Sequence, residues 1–221
     1  MALSKFNFNS FDVTTAASTG LGFNASANGF STINPGSMTL IKTITASSSS
    51  TVQFLDGSSS VVLDSTYPVY LFKIINMHPS VDNHIFEFQG NASGGSGFNE
   101  TITSATFRAY HTEGGGTSTL EYVVNDDLAQ STDHQHLANG VGNSGGSRSL
   151  SGELYLFNPS STTFVKHFIS RFQFYEASDA SANFYAAGYF NTSSAIDEIQ
   201  FRMASGNIDD GTFKLYGIKD S

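Results

Sequence analysis

The chain has 221 residues, enough for one substantial core, and only 13% of them are charged, with 19 acidic against 10 basic. No basic patch or stripe appears, so the electrostatic footprint of a nucleic-acid binder is missing, and a net charge of −9 argues equally against an anionic membrane surface as partner. Cysteine is absent, which excludes disulfides, thiolate catalysis and Cys-based zinc sites.

The first segment, residues 1–36, sets Phe6, Phe8, Phe11, Phe23 and Phe30 among Asn, Ser, Ala and Gly without a regular period. Disordered tails are usually poor in aromatics. The expectation is therefore an extended N-terminal arm whose phenylalanines anchor it, either on a neighbouring subunit or on its own domain. Asn34-Pro35-Gly36 closes the arm with a strong turn signal. The opening MALSKFNFNSFDVTT lacks an apolar h-region, so no signal peptide is expected, and no apolar run approaches a membrane span.

From residue 37 to 221 the chain reads as one domain of short strands separated by turn residues. Met38–Thr45 alternates and is rich in β-branched side chains. Thr51–Leu55 resumes after a serine run and ends at Asp56-Gly57, a tight-turn pair. Val69–Met77 is a long hydrophobic strand that ends at His78-Pro79. His84–Gln89 places Phe86 and Phe88 on one face and Ile85 with Glu87 on the other. Thr101–His111 and Leu120–Val124 follow, then a polar stretch leading to a loop at Gly140–Gly146. Leu150–Phe157, Thr163–Tyr175, Asn183–Phe190, Ile196–Met203 and Thr212–Ile218 complete the set. About a dozen strands at this spacing predict an all-β, two-sheet antiparallel sandwich. Val69–Phe88 and Leu154–Phe172 share an order of aromatic strand, Pro-Ser turn and second aromatic strand, which predicts two hairpins of the same kind. Twenty Phe and nine Tyr supply two inner faces heavy in rings.

The residues offer little catalytic chemistry. Asp133-His134-Gln135-His136 is the best metal candidate, because an H-x-H pair in a strand points both imidazoles to one face. A third ligand would have to come from Glu113, Asp126, Asp127 or His111, and no spacing selects one. The many serines offer no nucleophile elbow. Asp126-Asp127, Asp197-Glu198 and Asp209-Asp210 are adjacent pairs, which a strand turns to opposite faces; Asp209-Asp210-Gly211 reads as a turn. The loops Asn125–Asp127 and Asn207–Asp210 hold oxygen ligands without matching a known calcium pattern. The expectation is a protein that binds or assembles, with no catalytic residues, no metal and no cofactor.

The C-terminal strands carry a resemblance. Phe201-Arg-Met-Ala-Ser205, then Gly206-Asn-Ile-Asp-Asp-Gly211, then Thr212-Phe-Lys-Leu-Tyr-Gly217 resembles the closing strands of tailed-phage virion proteins of the marine phage type. Leu71–Ser80 and Leu154–Phe168, including Leu156-Phe-Asn-Pro-Ser-Ser161, are similar to segments of the same proteins. The likeness extends over most of residues 38–218 and leaves the arm unmatched. It implies a jelly roll on the virion exterior, assembled in the host cytoplasm as a homo-oligomer, with a trimer favoured by analogy. It implies a capsid decoration protein in contact with the major capsid protein. The alternative is a tail fibre or receptor-binding component that meets tail proteins and a host glycan; a glycan-degrading or metal-dependent hydrolase is the reading from another class.

Overall fold

The computed structural model describes residues 20–23, 30–33 and 37–219. β1 (Gly20–Phe23) and β2 (Phe30–Ile33) form a small antiparallel hairpin of their own. All other strands belong to one antiparallel sheet of twelve. They are β3 (Met38–Ser49), β4 (Thr51–Phe54), β5 (Val69–Pro79), β6 (His84–Ala92), β7 (Ile102–Thr112), β8 (Ser118–Tyr122) and β9 (Gln135–Val141). The second half adds β10 (Leu150–Phe157), β11 (Lys166–Glu176), β12 (Ala180–Phe190), β13 (Ile196–Met203) and β14 (Ile208–Ile218). Helix among the described residues is limited to a 3-10 turn at Ser58–Ser60.

The sheet has two arms. The larger runs β3-β14-β5-β10-β11-β12-β7-β8, and the smaller runs β9-β6-β13-β4. They meet through a single residue pair, Glu176 of β11 with Val141 of β9. At the far side β3 passes into β4 across Ser50 alone, so the sheet nearly closes on itself. The interior between the arms is filled with rings. Phe201 of β13 lies 5.6 Å from Phe72 of β5, Phe86 of β6 lies 5.8 Å from Phe172 of β11, and Phe88 lies 5.0 Å from Phe168. Strand periodicity places them there: along β11, Phe168, Ser170, Phe172 and Phe174 are buried while His167, Ile169, Arg171 and Gln173 face outward.

The all-β antiparallel expectation holds, and the bounds of β10 and β13 match those read from sequence. Three local expectations are corrected. β5 and β6 do not pair with each other: at His78-Pro79-Ser80 the chain crosses from the larger arm to the smaller, whereas β10 and β11 do form a hairpin. Asp209-Asp210-Gly211 is not a turn but part of β14, where the register shifts against β5; Gly211 (φ 138°) sits so close to Met77 that a Cβ would lie 2.8 Å from its Cα. Gln135–Val141, read from sequence as the end of a polar stretch running into the loop Gly140–Gly146, is strand β9.

The loop from Leu55 to Pro68 adds Val61 and Leu63 to the buried core. Tyr67 packs against Gly217 at a point where any Cβ would collide with its ring, and edge-on to Tyr70 at 5.7 Å. The buried Tyr70 hydroxyl donates to Asp64, at 3.0 Å to its carbonyl and 3.1 Å to Oδ1. Burial raises the Tyr70 phenol well above its ordinary value of 10.0, and the Asp64 charge and hydrogen bond add to that. Burial pushes the Asp64 carboxyl up, but hydrogen bonds from Thr66 and Tyr70 outweigh it and hold the group below 3.8. A phenol raised in the folded state contributes stability that is fully present below about pH 10 and is lost as pH rises through the folded value. The carboxylate's contribution is present above about pH 4 and is lost on acidification. Tyr70→Phe is therefore expected to flatten the alkaline limb of a stability–pH profile, read as urea midpoints between about pH 9 and pH 11. An unchanged alkaline limb would assign that limb to other groups.

Candidate binding surface

The outer face of the larger arm is built from the alternate residues that the core does not use. Eight strands at about 4.8 Å spacing make it roughly 34 Å wide. Directly opposed residues form rows across it. One row runs Tyr122, Phe107, Tyr185, Arg171, Glu153 and Lys73 from β8 to β5. Its aromatic half is a stack: the rings of Phe107 and Tyr185 lie parallel with centroids 4.6 Å apart, and the Arg171 guanidinium stands 5.5 Å from the Tyr185 ring. Its charged half is a contact of 3.9 Å between Lys73 and Glu153, both largely hydrated and so of little energetic weight.

This row is a ridge between two open troughs. On one side, about 550 Å³ lies over the small residues Ala105, Ala187 and Gly188, flanked by His167, Ile169 and Tyr189. Ile169 is 52% exposed. On the other side, about 540 Å³ is lined by Lys73, Glu153, Arg171, Gln173 and Asn183, with Ile75 and Tyr216 as apolar walls. Arg171 donates to Asn183 Oδ1 at 3.3 Å and Gln173 to Ser181 Oγ at 3.3 Å, so planar polar groups are already oriented on this face. The first trough suits an apolar surface, the second a ligand rich in hydroxyl or amide groups. The larger arm also ends in exposed apolar side chains at both edges: Met38 and Leu40 on β3, and Leu120 and Tyr122 on β8.

The Asp133–His136 segment leads into β9 on the outer face of the smaller arm. Its two imidazoles are held by different partners. His136 donates through Nδ1 to Asp126 Oδ1 at 2.8 Å, and its Nε2 stands 3.8 Å from Glu87 Oε2. Asn139 donates to the same Asp126 oxygen at 2.8 Å, and Arg202 donates to Glu87 Oε1 at 2.7 Å. His134 donates to Gln200 Oε1 at 3.1 Å; burial is the main cause lowering its pKa below 6.5. Asp133 hydrogen-bonds Ser131. Glu113 and His111 lie in the β7–β8 hairpin, and Asp127 accepts from Tyr122. Among the described residues no three His, Cys, Asp or Glu side chains gather in metal-binding geometry. Of the ligands considered from sequence, only Asp126 reaches a histidine.

Glu87, Gln200 and Arg202 joined this network without any sequence signal, because only the pairing of β6 with β13 and β9 brings them together. Lys166 went unnoticed as well: it is fully buried, donates to the carbonyls of Phe164 (2.9 Å) and Thr192 (3.1 Å), and is lowered by burial from 10.5. Phe6, Phe8 and Phe11 lie outside the described residues. Phe23 ends β1 opposite Phe30, the first residue of β2, and their side chains lie outside what the structure describes. The chain matches no family model, and neither curated proteins nor solved structures show a significant similarity to it.

Proposed function

We propose that the chain is a structural protein of the exterior of a tailed-phage virion, acting as a capsid decoration protein on a jelly-roll scaffold. The strand order supports the jelly roll. β3-β14-β5-β10 and β9-β6-β13-β4 are two facing sets of four, and the chain passes from one set to the other at each step except from β6 to β9, as in a pair of nested Greek keys. On this reading β7-β8 and β11-β12 are insertions that widen one sheet. The observation that carries an assembly role is the wide outer face, with its exposed Phe107, Ile169, Leu120 and Leu40. Phe107 stacked on Tyr185 and the adjoining trough beside Ile169 put apolar groups together on that face, and a contiguous apolar patch marks an interaction surface. In this reading Phe6, Phe8, Phe11, Phe23 and Phe30 clamp the subunit to its neighbours.

The polar trough around Arg171, Gln173, Asn183 and Glu153 favours a second role, recognition of a host glycan by a tail component. Immunogold labelling of the parent particle with antibody against the chain separates the two. Uniform label over the head is the expected result. Label confined to the tail tip would replace decoration with host recognition, and unlabelled particles would remove the virion reading altogether.

A further inference from the structure

The larger arm ends in a strand that nothing among the described residues covers. β8 pairs with β7 alone. Its inward bonds are identified by those at either end of the hairpin: Val123 donates to Thr106, and Thr112 donates to Thr117. Alternation then turns the main-chain N–H and C=O of Ser118, Leu120 and Tyr122 toward the open side. Leu120 is 72% exposed and Tyr122 54%. Natural edge strands are blunted by brevity, bulges, lysine or proline. β3 has a register shift at Leu215/Tyr216 and carries Lys42, and β4 has only four residues. β8, though only five residues long, has no bulge, lysine or proline; its one charge, Glu121, is already held by Arg108 at 2.7 Å.

We infer that β8 is a self-association edge, at which two copies of this chain pair antiparallel about a two-fold axis through Leu120. The residue types fit this register. Leu120 faces Leu120, Ser118 faces Tyr122, and Thr119 faces Glu121, so no like charges stand directly opposed. Each outward N–H and C=O on β8 meets its complement on the other copy, and the sheet continues across the axis. A register moved to centre on Glu121 would set two carboxylates face to face. The contact is isologous, so it closes as a dimer, and a three-fold particle would need a second contact besides it. With one short strand on each side, the interface is below the usual size of a stable complex, and a weak dimer that repeated copies reinforce is expected. The inference rests on the sheet edge and does not depend on the virion setting.

The absence of cysteine makes a clean test. Opposed residues of a hydrogen-bonded antiparallel pair have Cα atoms about 5.5 Å apart, within disulfide range. Full-length Leu120→Cys protein should form a disulfide dimer, twice the 23.6 kDa chain mass, on mild oxidation. Ser118→Cys mixed with Tyr122→Cys should cross-link, while neither variant alone should form a disulfide dimer. Unmodified protein should show concentration-dependent dimer in sedimentation velocity, and Leu120→Lys should abolish it; both Leu120 variants should keep the wild-type circular dichroism because the side chain is outside the core. If Leu120→Cys cross-links no faster than Val62→Cys, placed at an exposed position of the β4–β5 loop, the inference is overturned. Wild-type protein that stays monomeric at about 300 µM would overturn it as well.

Discussion

Phe201→Ala is expected to cost about 3–5 kcal/mol of folding stability, at least a fifth of the roughly 5–15 kcal/mol that a domain usually has. The ring is fully buried on β13 and lies within 6.4 Å of five others: Phe54, Phe72, Phe86, Phe88 and Phe213. Those five come from β4, β5, β6 and β14, so one side chain joins both arms of the sheet across the interior. Truncation removes the transfer free energy of the ring and leaves a cavity that surrounding rings, each locked by others, cannot collapse to fill. Guanidinium unfolding should show a lower midpoint with an unchanged slope, since the surface exposed on unfolding is the same. Phe164→Ala is the control: that ring is 69% exposed and should move stability by less than about 0.5 kcal/mol. A Phe201 loss under about 1 kcal/mol would mean that ring packing is not what holds the arms together.

That effect is legible in sequence only in part. Alternation located Phe86 and Phe88 on one face, and β10 and β13 are bracketed by turn residues that make their ends plain. Which face meets which is a matter of topology, and there local cues mislead. The turn-like His78-Pro79-Ser80 suggests a hairpin, yet it is a crossing between arms, because Asn207 and Ser80 tie it to β14 instead. Phe164 sits in a run that reads as strand, but Ser161 Oγ accepts from the N–H groups of Thr163 and Phe164 and holds the chain in a turn until Lys166. β9 lacks alternation and has a single β-branched residue, Val141 at its end; it is a strand because β6 offers it an edge.

The polar side of β6 was the least legible feature. Glu87, Gln89 and Asn91 alternate with apolar residues as an exposed face should, and all three are buried. The segment before β9 covers Gln89, whose side-chain amide lies 2.9–3.3 Å from the carbonyls of Thr132 and Asp133 there and 3.0 Å from that of Glu100, while Glu87 is held by Arg202 and Asn91 donates to Glu198. The binding face of the larger arm was hidden for a related reason. Its troughs are made by residues distant in sequence, and nothing in the spacing of Arg171, Glu153 and Lys73 announces that they share a row.

Asp126→Ala should be the most damaging polar substitution, costing about 2–4 kcal/mol. The carboxylate side chain is 1% exposed and accepts from His136 and from Asn139, so its removal leaves two donors without a partner in a place water reaches poorly. The consequence extends along the network: His136 then faces only Glu87, whose own position depends on Arg202. Asp126→Asn keeps the shape and one acceptor oxygen and should recover roughly half of the loss. A double-mutant cycle with His136→Ala separates this account from a simple packing defect, because two groups joined in one network should show a coupling of about 1–2 kcal/mol. Additive losses would mean that Asp126 acts through the turn at Val123–Asp126 alone. Strong coupling would make the Asp-His pair what anchors the start of β9, the strand whose far end at Val141 joins the two arms, which explains why both imidazoles of the His-x-His segment are committed to neighbouring side chains of the fold.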